Sequence, residues 1–517
     1  MLSSLTEKYK HKIKTVEELI DAIGRRPREK KVIMCHGVFD VVHPGHLRHL
    51  IYAKSKADIL IASLTADVHI SKGHFRPHVP QDLRALNLAA FEIVDYVVID
   101  GEPTPLKNLG RIQPDYFAKG YEYTSTGSLP PKTAEEAEVL KSYGGEMIFT
   151  PGDIVYSSSK IIESAPPTIK IEKLLTFMDA EGLTFKSLHE ALDKLAGRRV
   201  HVVGDTIVDS YTQTTMIGGQ TKTPTMSVLY EGRDDYIGGA AVVAEHLRAA
   251  GADVLFSTVL GDDPFKDFVL QGLRRSGIEC NAVIDTTRPT TNKNAIVSVG
   301  YRLLKIDTLD NRSISDTILE KLCGAVSESK SDAVVYSDFR HGIFNRRTIP
   351  PLISALPDGV LKVADSQVAS RWGNITDFKG FDLITPNERE ARFALADQDS
   401  GIRPLASALY DAADCKTLIL KLGERGVLTC RSRDHESLDS FVVVDSFVDR
   451  VVDAVGAGDA LLAYATLAML ATGSDGVATI LGSVAAACEC EYDGNIPVTP
   501  IDVRRKLDAV ERLANYG

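Results

Sequence analysis

The sequence predicts two α/β domains in one chain, each a parallel sheet covered by helices on both faces. Three observations predict it. Short β-branched runs alternate with helical patterns from Lys31 to about Ile162, and parallel strands need such helical crossovers. The alternation breaks at Ala165-Pro166-Pro167-Thr168, where a Pro-Pro pair cannot continue a helix. It then resumes on a larger scale, and 517 residues exceed what one ordinary core holds.

In the first part the expected strands are Val32-Cys35, Ile59-Leu64, Tyr96-Ile99, Tyr116-Ala118 and Glu146-Phe149. A helical segment, roughly Lys170 to Leu195, leads to a new strand at Arg199-Val203. Further strands are expected at Ala333-Ser337, Leu361-Ala364, Leu383-Thr385, Thr417-Lys421 and Val427-Cys430. The expected boundaries are 1–165, a helix over 166–196 that is a linker or the opening of the second domain, and 197–517. Ligands of such sheets sit at the carboxyl ends of the strands.

Apolar and charged fractions of 44% and 25% are those of a soluble globular protein. No apolar run is long enough to span a bilayer, and Met1 to Lys14 lacks the apolar core of a signal peptide, so a cytoplasmic location is expected. Seven scattered cysteines without a C-x-x-C pair read as reduced thiols rather than a disulfide framework or zinc site. The net charge of −11 falls wholly beyond residue 165, since residues 1–165 hold 21 Lys+Arg and 21 Asp+Glu. Neither part has the basic surplus of a nucleic-acid binder. The expected partners are small molecules and a second copy of the chain in a dimer, with no nucleic acid and no membrane.

The most informative stretch is His36-Gly37-Val38-Phe39-Asp40-Val41-Val42-His43-Pro44-Gly45-His46. It lies between an apolar strand and the start of a helix. An anion there meets unpaired helix N–H groups, a favourable dipole and two imidazole donors, which suits a phosphate chain. The other histidines of this region, His36, His49, His69, His74 and His78, share no metal-ligand spacing.

This string, with Lys72-Gly73, Arg76-Pro77, Arg84, Lys119-Gly120 and Tyr156-Ser157-Ser158-Ser159-Lys160, resembles the cytidylyltransferase-like nucleotidyltransferases over residues 30 to 162. The resemblance implies the HxGH nucleotidyltransferase fold. It implies that His43 and His46 contact the triphosphate and stabilise charge at the α-phosphate, that Lys72 neutralises phosphate oxygens, and that Ser157 and Ser158 cap the phosphates. Gly37, Phe39, Arg76 and Lys119 fall to nucleotide binding. Such a reaction needs positioning and charge neutralisation without a protein nucleophile, and Mg²⁺ shares that work.

A second site is expected at Asp453-Ala454-Val455-Gly456-Ala457-Gly458-Asp459-Ala460, ahead of an apolar helix. Its glycines let backbone N–H groups converge on a transferring phosphoryl group, and Asp459 beside them can take a proton from an attacking hydroxyl. The string resembles the C-terminal signature of the ribokinase (PfkB) sugar kinases, and four other segments agree in order: Gly204-Asp205 with Asp209, Gly238-Gly239-Ala240-Ala241, Asn387-Glu388-Arg389-Glu390, and Lys421-Leu422-Gly423-Glu424-Arg425-Gly426. The resemblance implies a ribokinase-like fold, with Asp459 as base and Gly456, Ala457 and Gly458 as anion hole. Asn387 and Glu390 organise the Mg-phosphate region, Glu390 being the metal candidate. Lys421, Gly423 and Gly426 line the adenine nucleotide, and Asp205, Asp209, Gly238 and Gly239 face the sugar. For Asp205 and Asp209 an N-cap and a solvated turn stand as the alternative. The family often has Thr where Ala454 stands and Asn where Val242 stands.

The pairing resembles the bifunctional heptose-7-phosphate kinase/heptose-1-phosphate nucleotidyltransferases that supply ADP-heptose for lipopolysaccharide, with the two domains in reversed order. That implies ATP-dependent phosphorylation of a sugar phosphate at its anomeric hydroxyl, then nucleotidyl transfer from a second NTP. Lys293, Arg302 and Lys305 are candidates for the sugar's existing phosphate. The alternative is an active transferase whose kinase-like domain only binds ligand or mediates assembly.

Overall fold

The computed structural model describes residues 8–70, 76–120, 131–150, 170–219, 226–367, 375–437 and 439–516. The expected sites Lys72, Ser157 and Ser158 lie outside them. The first sheet is built from β1 (Val32–Gly37), β2 (Ile59–Thr65), β3 (Tyr96–Asp100), β4 (Tyr116–Gly120) and β5 (Glu146–Thr150), ordered β3-β2-β1-β4-β5 and parallel throughout. Val32, Ile33, Met34 and Cys35 of the central strand are all fully buried. That is why this run is apolar without alternation: helices cover both faces. Ile33 and Cys35 join the cluster of Leu50 and Leu88, while Val32 and Met34 join that of Leu109 and Phe117.

The segment read as one connecting helix is two, Lys170–Ala180 and Phe185–Asp193, parted by Gly182 at φ +65°. Their apolar faces, Leu174, Met178, Leu188 and Leu192, belong to the core of the second unit. That unit carries β6 (Arg199–Gly204), β7 (Thr206–Gly219), β8 (Met226–Gly239), β9 (Asp253–Leu260), β10 (Glu279–Ile284), β11 (Asn292–Ser298), β12 (Tyr301–Thr308), β13 (Ala333–Asp338), β14 (Leu361–Ser366), β15 (Leu383–Ile384), β16 (Thr417–Lys421), β17 (Val427–Cys430) and β18 (Phe441–Val444). Nine of these form one sheet, β10-β9-β6-β13-β14-β15-β16-β17-β18. It is parallel as far as β16 and antiparallel across its last two strands. The reversal at β17 follows from the five-residue turn Leu422–Gly426, too short for a crossover.

The purely parallel expectation also misses a second sheet, β12-β11-β7-β8, mostly antiparallel. It rises over the carboxyl end of β6, because β7 begins two residues after β6 ends. Tyr230, Tyr236, Leu304 and Ile306 on it are roughly half exposed or more. No helix among the described residues is long and apolar enough to cross a membrane.

Candidate active sites

The first site forms where β1 ends. His43 is the N-cap of the helix Pro44–Lys54, and its Nδ1 accepts the Gly45 N–H at 3.1 Å. An accepting Nδ1 places the proton on Nε2, so the ring presents a donor away from the helix. The His46 ring stacks on it, with centroids 4.0 Å apart, and Phe39 packs on His46 at 5.2 Å. Burial, reinforced by His43 and His49, pushes the His46 pKa down to about 4. Both rings are therefore neutral donors at pH 7 until an anion arrives.

Two anchors hold this loop. The Asp40 carboxylate accepts the N–H groups of His78 (3.0 Å) and Val79 (2.8 Å), tying in the segment that carries Arg76. Arg84, fully buried, donates to the carbonyls of Val38, Thr65 and Val79 and to Asp67. Phe39, expected at the nucleotide, is 4% exposed within the core, so it shapes the site by supporting His46. The added Cβ of any residue replacing Gly37 would touch the Phe39 ring at 3.4 Å. The Lys119 ammonium is bonded to Glu136 at 2.8 Å. Lys119 and His49 are also linked: His49 Nδ1 meets Thr150 Oγ1 at 2.9 Å, and that hydroxyl donates to the Lys119 carbonyl at 3.3 Å.

The second site forms at the carboxyl ends of β14 and β16. Gly456, at φ +86°, is the N-cap of the helix Ala457–Thr472, whose first N–H groups have no intrahelical acceptor. A Cβ at Gly456 would come within 2.6 Å of Asn495 Oδ1 and 2.8 Å of Glu489 Oε1, so only glycine fits. Asp459 is 9% exposed. Burial, with Asp365 and Glu390 nearby, pushes its pKa up to about 7 against the pull of Lys421. The Lys421 ammonium bonds both Asp365 oxygens, at 3.2 and 3.3 Å, and lies 3.2 Å from where a Gly458 Cβ would stand. Asn387 and Glu390 close a capping box on the helix Glu388–Leu395, with bonds of 2.9 and 2.7 Å. A bridge between Asn387 and Lys421 sets that box beside β16. Gly423 and Gly426, at φ +62° and +84°, shape the turn that follows, and Val444 carbonyl approaches Gly426 too closely for any Cβ.

Sequence reasoning missed two acids and an amide here. Asp365 ends β14 and also accepts from Thr385 Oγ1 at 3.1 Å; its place at the carboxyl end of a parallel strand is the signal that could have found it. Glu489 and Asn495 bring buried oxygens behind the anion hole. Burial and Asp459 push the Glu489 pKa up to about 8, so the side chain is mostly protonated at pH 7.

On the sugar side the expected residues part company. Asp205 is turned into the protein, where its carboxylate accepts N–H groups of Phe339 (3.1 Å), His341 (3.2 Å) and Ile343 (3.4 Å). Asp209 is left to face the second sheet, where β7 pairs it beside Lys293. Burial raises its pKa while Lys293, Lys305 and Arg302 lower it. Gly238 is required at this point, because a Cβ would fall 2.3 Å from Asp209 Oδ2, and Gly239 at φ +67° faces the Asp205 carbonyl at 2.4 Å. Arg302 leans on the Tyr211 ring, 5.5 Å from its centroid. Val242 is 3% exposed among the core residues of the helix Ala240–Ala249, and Ala454 is exposed.

Lys421 faces three carboxylates, Asp365, Glu390 and Asp459. This uncompensated charge suits Mg²⁺ carried in on a triphosphate. Among the described residues the set of three ligand atoms within 4.8 Å is instead His189, Asp508 and Glu511, in another part of the unit.

Comparisons with known proteins match two separate stretches of the chain. A cytidylyltransferase-like model matches residues 34–164 and a pfkB family carbohydrate kinase model matches 198–502. The bifunctional protein HldE of Rhodopseudomonas palustris (strain BisB5) is 30% identical over 328 residues, 61% of this chain and 64% of that protein. HldE of Campylobacter concisus (strain 13826) is 39% identical over 146 residues, 28% and 31% of the two chains. The matched region thus spans less than two thirds of those relatives' length. Phosphofructokinase-2 from Escherichia coli is 18% identical, with 61% of this chain and 100% of that chain covered and a TM-score of 0.51, a likeness of fold. The pfkB model spans more than half of the 517 residues, and the chain belongs to the pfkB family of carbohydrate kinases.

Proposed function

We propose that the chain is a bifunctional enzyme of nucleotide-sugar synthesis, with a transferase unit within residues 1–165 and a kinase unit within 197–517. The observation that carries this reading is the presence of two phosphate-handling frames in one chain: the stacked His43–His46 pair at a helix start, and the Gly456–Asp459 hole with a raised-pKa carboxyl. The sugar is heptose 7-phosphate, as the HldE relatives and the cations around Asp209 support.

In the kinase step Asp459 takes the proton of the anomeric hydroxyl as its oxygen attacks the γ-phosphorus of ATP, and ADP leaves. A pKa near 7 suits that role, since half the enzyme then holds the free base at neutral pH. The Ala457 and Gly458 N–H groups receive the developing charge, Lys421 neutralises phosphate oxygens, and Asp209 orients the sugar. Glu390 and Asp365 would hold Mg²⁺ brought in with the triphosphate, which would supply further charge neutralisation. In the transferase step an oxygen of the sugar 1-phosphate attacks the α-phosphorus of a second NTP, and pyrophosphate leaves. His43 and His46 donate to the phosphate oxygens, and Lys72, Ser157 and Ser158 complete the grip. The second NTP is ATP and the product ADP-heptose.

The half-exposed apolar face of the β12-β11-β7-β8 sheet suits a second copy of the chain, in a dimer. Seven free cysteines and a chain without an apolar spanning helix among the described residues suit a soluble cytoplasmic enzyme. A second reading, a kinase unit that only binds ligand, draws on the apolar Val242. Asp459→Asn and His46→Ala separate the two: the first stops sugar bisphosphate formation and spares nucleotidyl transfer to a supplied sugar 1-phosphate, and the second does the reverse. Unchanged sugar bisphosphate formation in Asp459→Asn refutes the kinase assignment.

A further inference from the structure

A cavity of about 260 Å³ lies between the two units. Ile70 and Arg76–His78 wall it on the transferase side, and the start of the helix Ile402–Ala413 and the turn after β16 wall it on the kinase side. The helix Lys170–Ala180 closes a third side through Lys170 and Lys173. Leu428 and Leu422 place it on the face of the large sheet that packs against the helix Ile402–Ala413. The anion-hole helix Ala457–Thr472 packs in the cluster on the other face.

Its charge is one-sided. Five cations line it (Arg76, Lys170, Lys173, Arg403 and Arg425) against two acids, Glu424 and Asp445. Lys173 is paired with Asp445 at 3.2 Å. Arg403 reaches Asp67 at 3.4 Å and Arg425 reaches Glu388, but those carboxylates are already shared with Arg84 and Arg392. Lys170 Nζ donates to the Ser446 carbonyl at 3.2 Å, a neutral acceptor. Arg76 Nη2 is buried with no hydrogen-bond partner. A buried guanidinium nitrogen without an acceptor is costly unless something binds it.

The helix Ile402–Ala413 adds to this field. Its N-cap, Gly401, brings no side-chain cap to the first N–H groups at the positive end of a 12-residue helix. A Cβ on Gly401 would meet only Pro404 Cδ, at 3.8 Å, so there is open space in front of the helix. Beside the cations stand Ile402, Leu422, Leu428 and Pro77, an apolar wall.

We propose that this cavity is a binding site for the phosphate ester of a small metabolite, a nucleotide or a sugar phosphate, held between the two units. The phosphate sits against Arg76, Lys170 and the helix start, and the organic part lies on the apolar wall. The occupant touches the supports of both reaction centres at once. His78 adjoins the N–H groups that anchor Asp40 in the His43 loop, and Glu424 and Arg425 belong to the turn that follows Lys421. Occupancy therefore couples the units, whatever sugar they process.

The test is calorimetric titration of the full chain with AMP, glucose 6-phosphate and inorganic phosphate, each in the presence of a saturating non-hydrolysable ATP analogue that fills the nucleotide sites. The expected result is one further equivalent for at least one probe, the tightest probe naming the source of the phosphate. Gly401→Trp, which fills the cavity without backbone strain, abolishes that equivalent. Lys170→Glu weakens it at least tenfold, and unfolding curves confirm that both variants are folded. Lack of extra binding by any probe at millimolar concentration overturns the proposal, as does binding that persists undiminished in either folded variant.

Discussion

Replacing Lys421 by Met tests the electrostatics of the kinase site through the sign of a pH shift. Asp459 has a pKa of about 7 because burial, Asp365 and Glu390 raise it and Lys421 restrains the rise. The base acts when ionised, so kcat/KM of the kinase reaction climbs with pH through about 7 towards pH 8. Lys421 Nζ stands 3.2 Å from a Cβ at Gly458, the residue before Asp459. A unit charge at roughly 6–8 Å in an effective dielectric of about 20 contributes about 2–3 kcal/mol, or about 1–2 pH units after some solvent screening. In Lys421→Met the limb therefore moves up to about 8–9, and ionisation alone costs roughly 5- to 50-fold in kcat/KM at pH 7. Asp365→Asn removes a carboxylate that raises the Asp459 pKa, so its limb moves down instead. The assay is coupled ADP release across pH 5.5–9.5, a range set about the ordinary His and Lys limits, with thermal melts confirming folded variants. A limb that stays put in both variants, or moves in the same direction in both, refutes the assignment of Asp459 as the titrating base.

Three other outcomes are expected. His46→Ala removes one of two stacked donors and lowers the transferase kcat by about 10²–10³-fold, the cost of losing one preorganised donor, while kinase turnover is retained in the same preparation. Arg403→Met cuts the link from the kinase unit through Asp67 to Arg84 and the Val38 carbonyl in the His43 loop; transferase kcat falls about tenfold with kinase KM unchanged, as about 1.4 kcal/mol of lost positioning predicts. Glu489 has a pKa raised to about 8, so it is neutral at pH 7 and gains a negative charge behind Gly456 as pH rises through that value. Wild-type kinase activity therefore declines above pH 8, and Glu489→Gln keeps neutral-pH activity and abolishes the alkaline decline. An unchanged alkaline limb in that variant contradicts the role given to Glu489.

What was legible in the sequence was what local chemistry dictates. The strand, turn and helix around His43 follow from an apolar run, small residues and a proline at the helix start, and the structure adds only which nitrogen carries the proton. The Gly456 turn announced itself because positive φ and close approach demand glycine within a few residues of an acid. Glu489 and Asn495 stayed hidden because each reaches the site from a distant helix or loop and nothing beside it in the chain marks it, whereas Asp365 carried only the signal of its place at the end of a strand. Asp205 misled for the opposite reason: it sits in a motif-like string, yet its carboxylate serves three backbone N–H groups from residues 339–343. The four-stranded sheet was missed because half-exposed strands such as β8 and β12 lack the buried apolar runs that mark a parallel core.

The central claim is that one chain makes a sugar bisphosphate intermediate and then a nucleotide sugar. Incubating the protein with heptose 7-phosphate, ATP and each NTP in turn, and identifying the products by mass spectrometry, tests it most directly. The expected products are a heptose 1,7-bisphosphate from the kinase unit and, once the 7-phosphate is removed by a supplied phosphatase, ADP-heptose with ATP as the second nucleotide. Absence of any sugar bisphosphate from a folded preparation contradicts it.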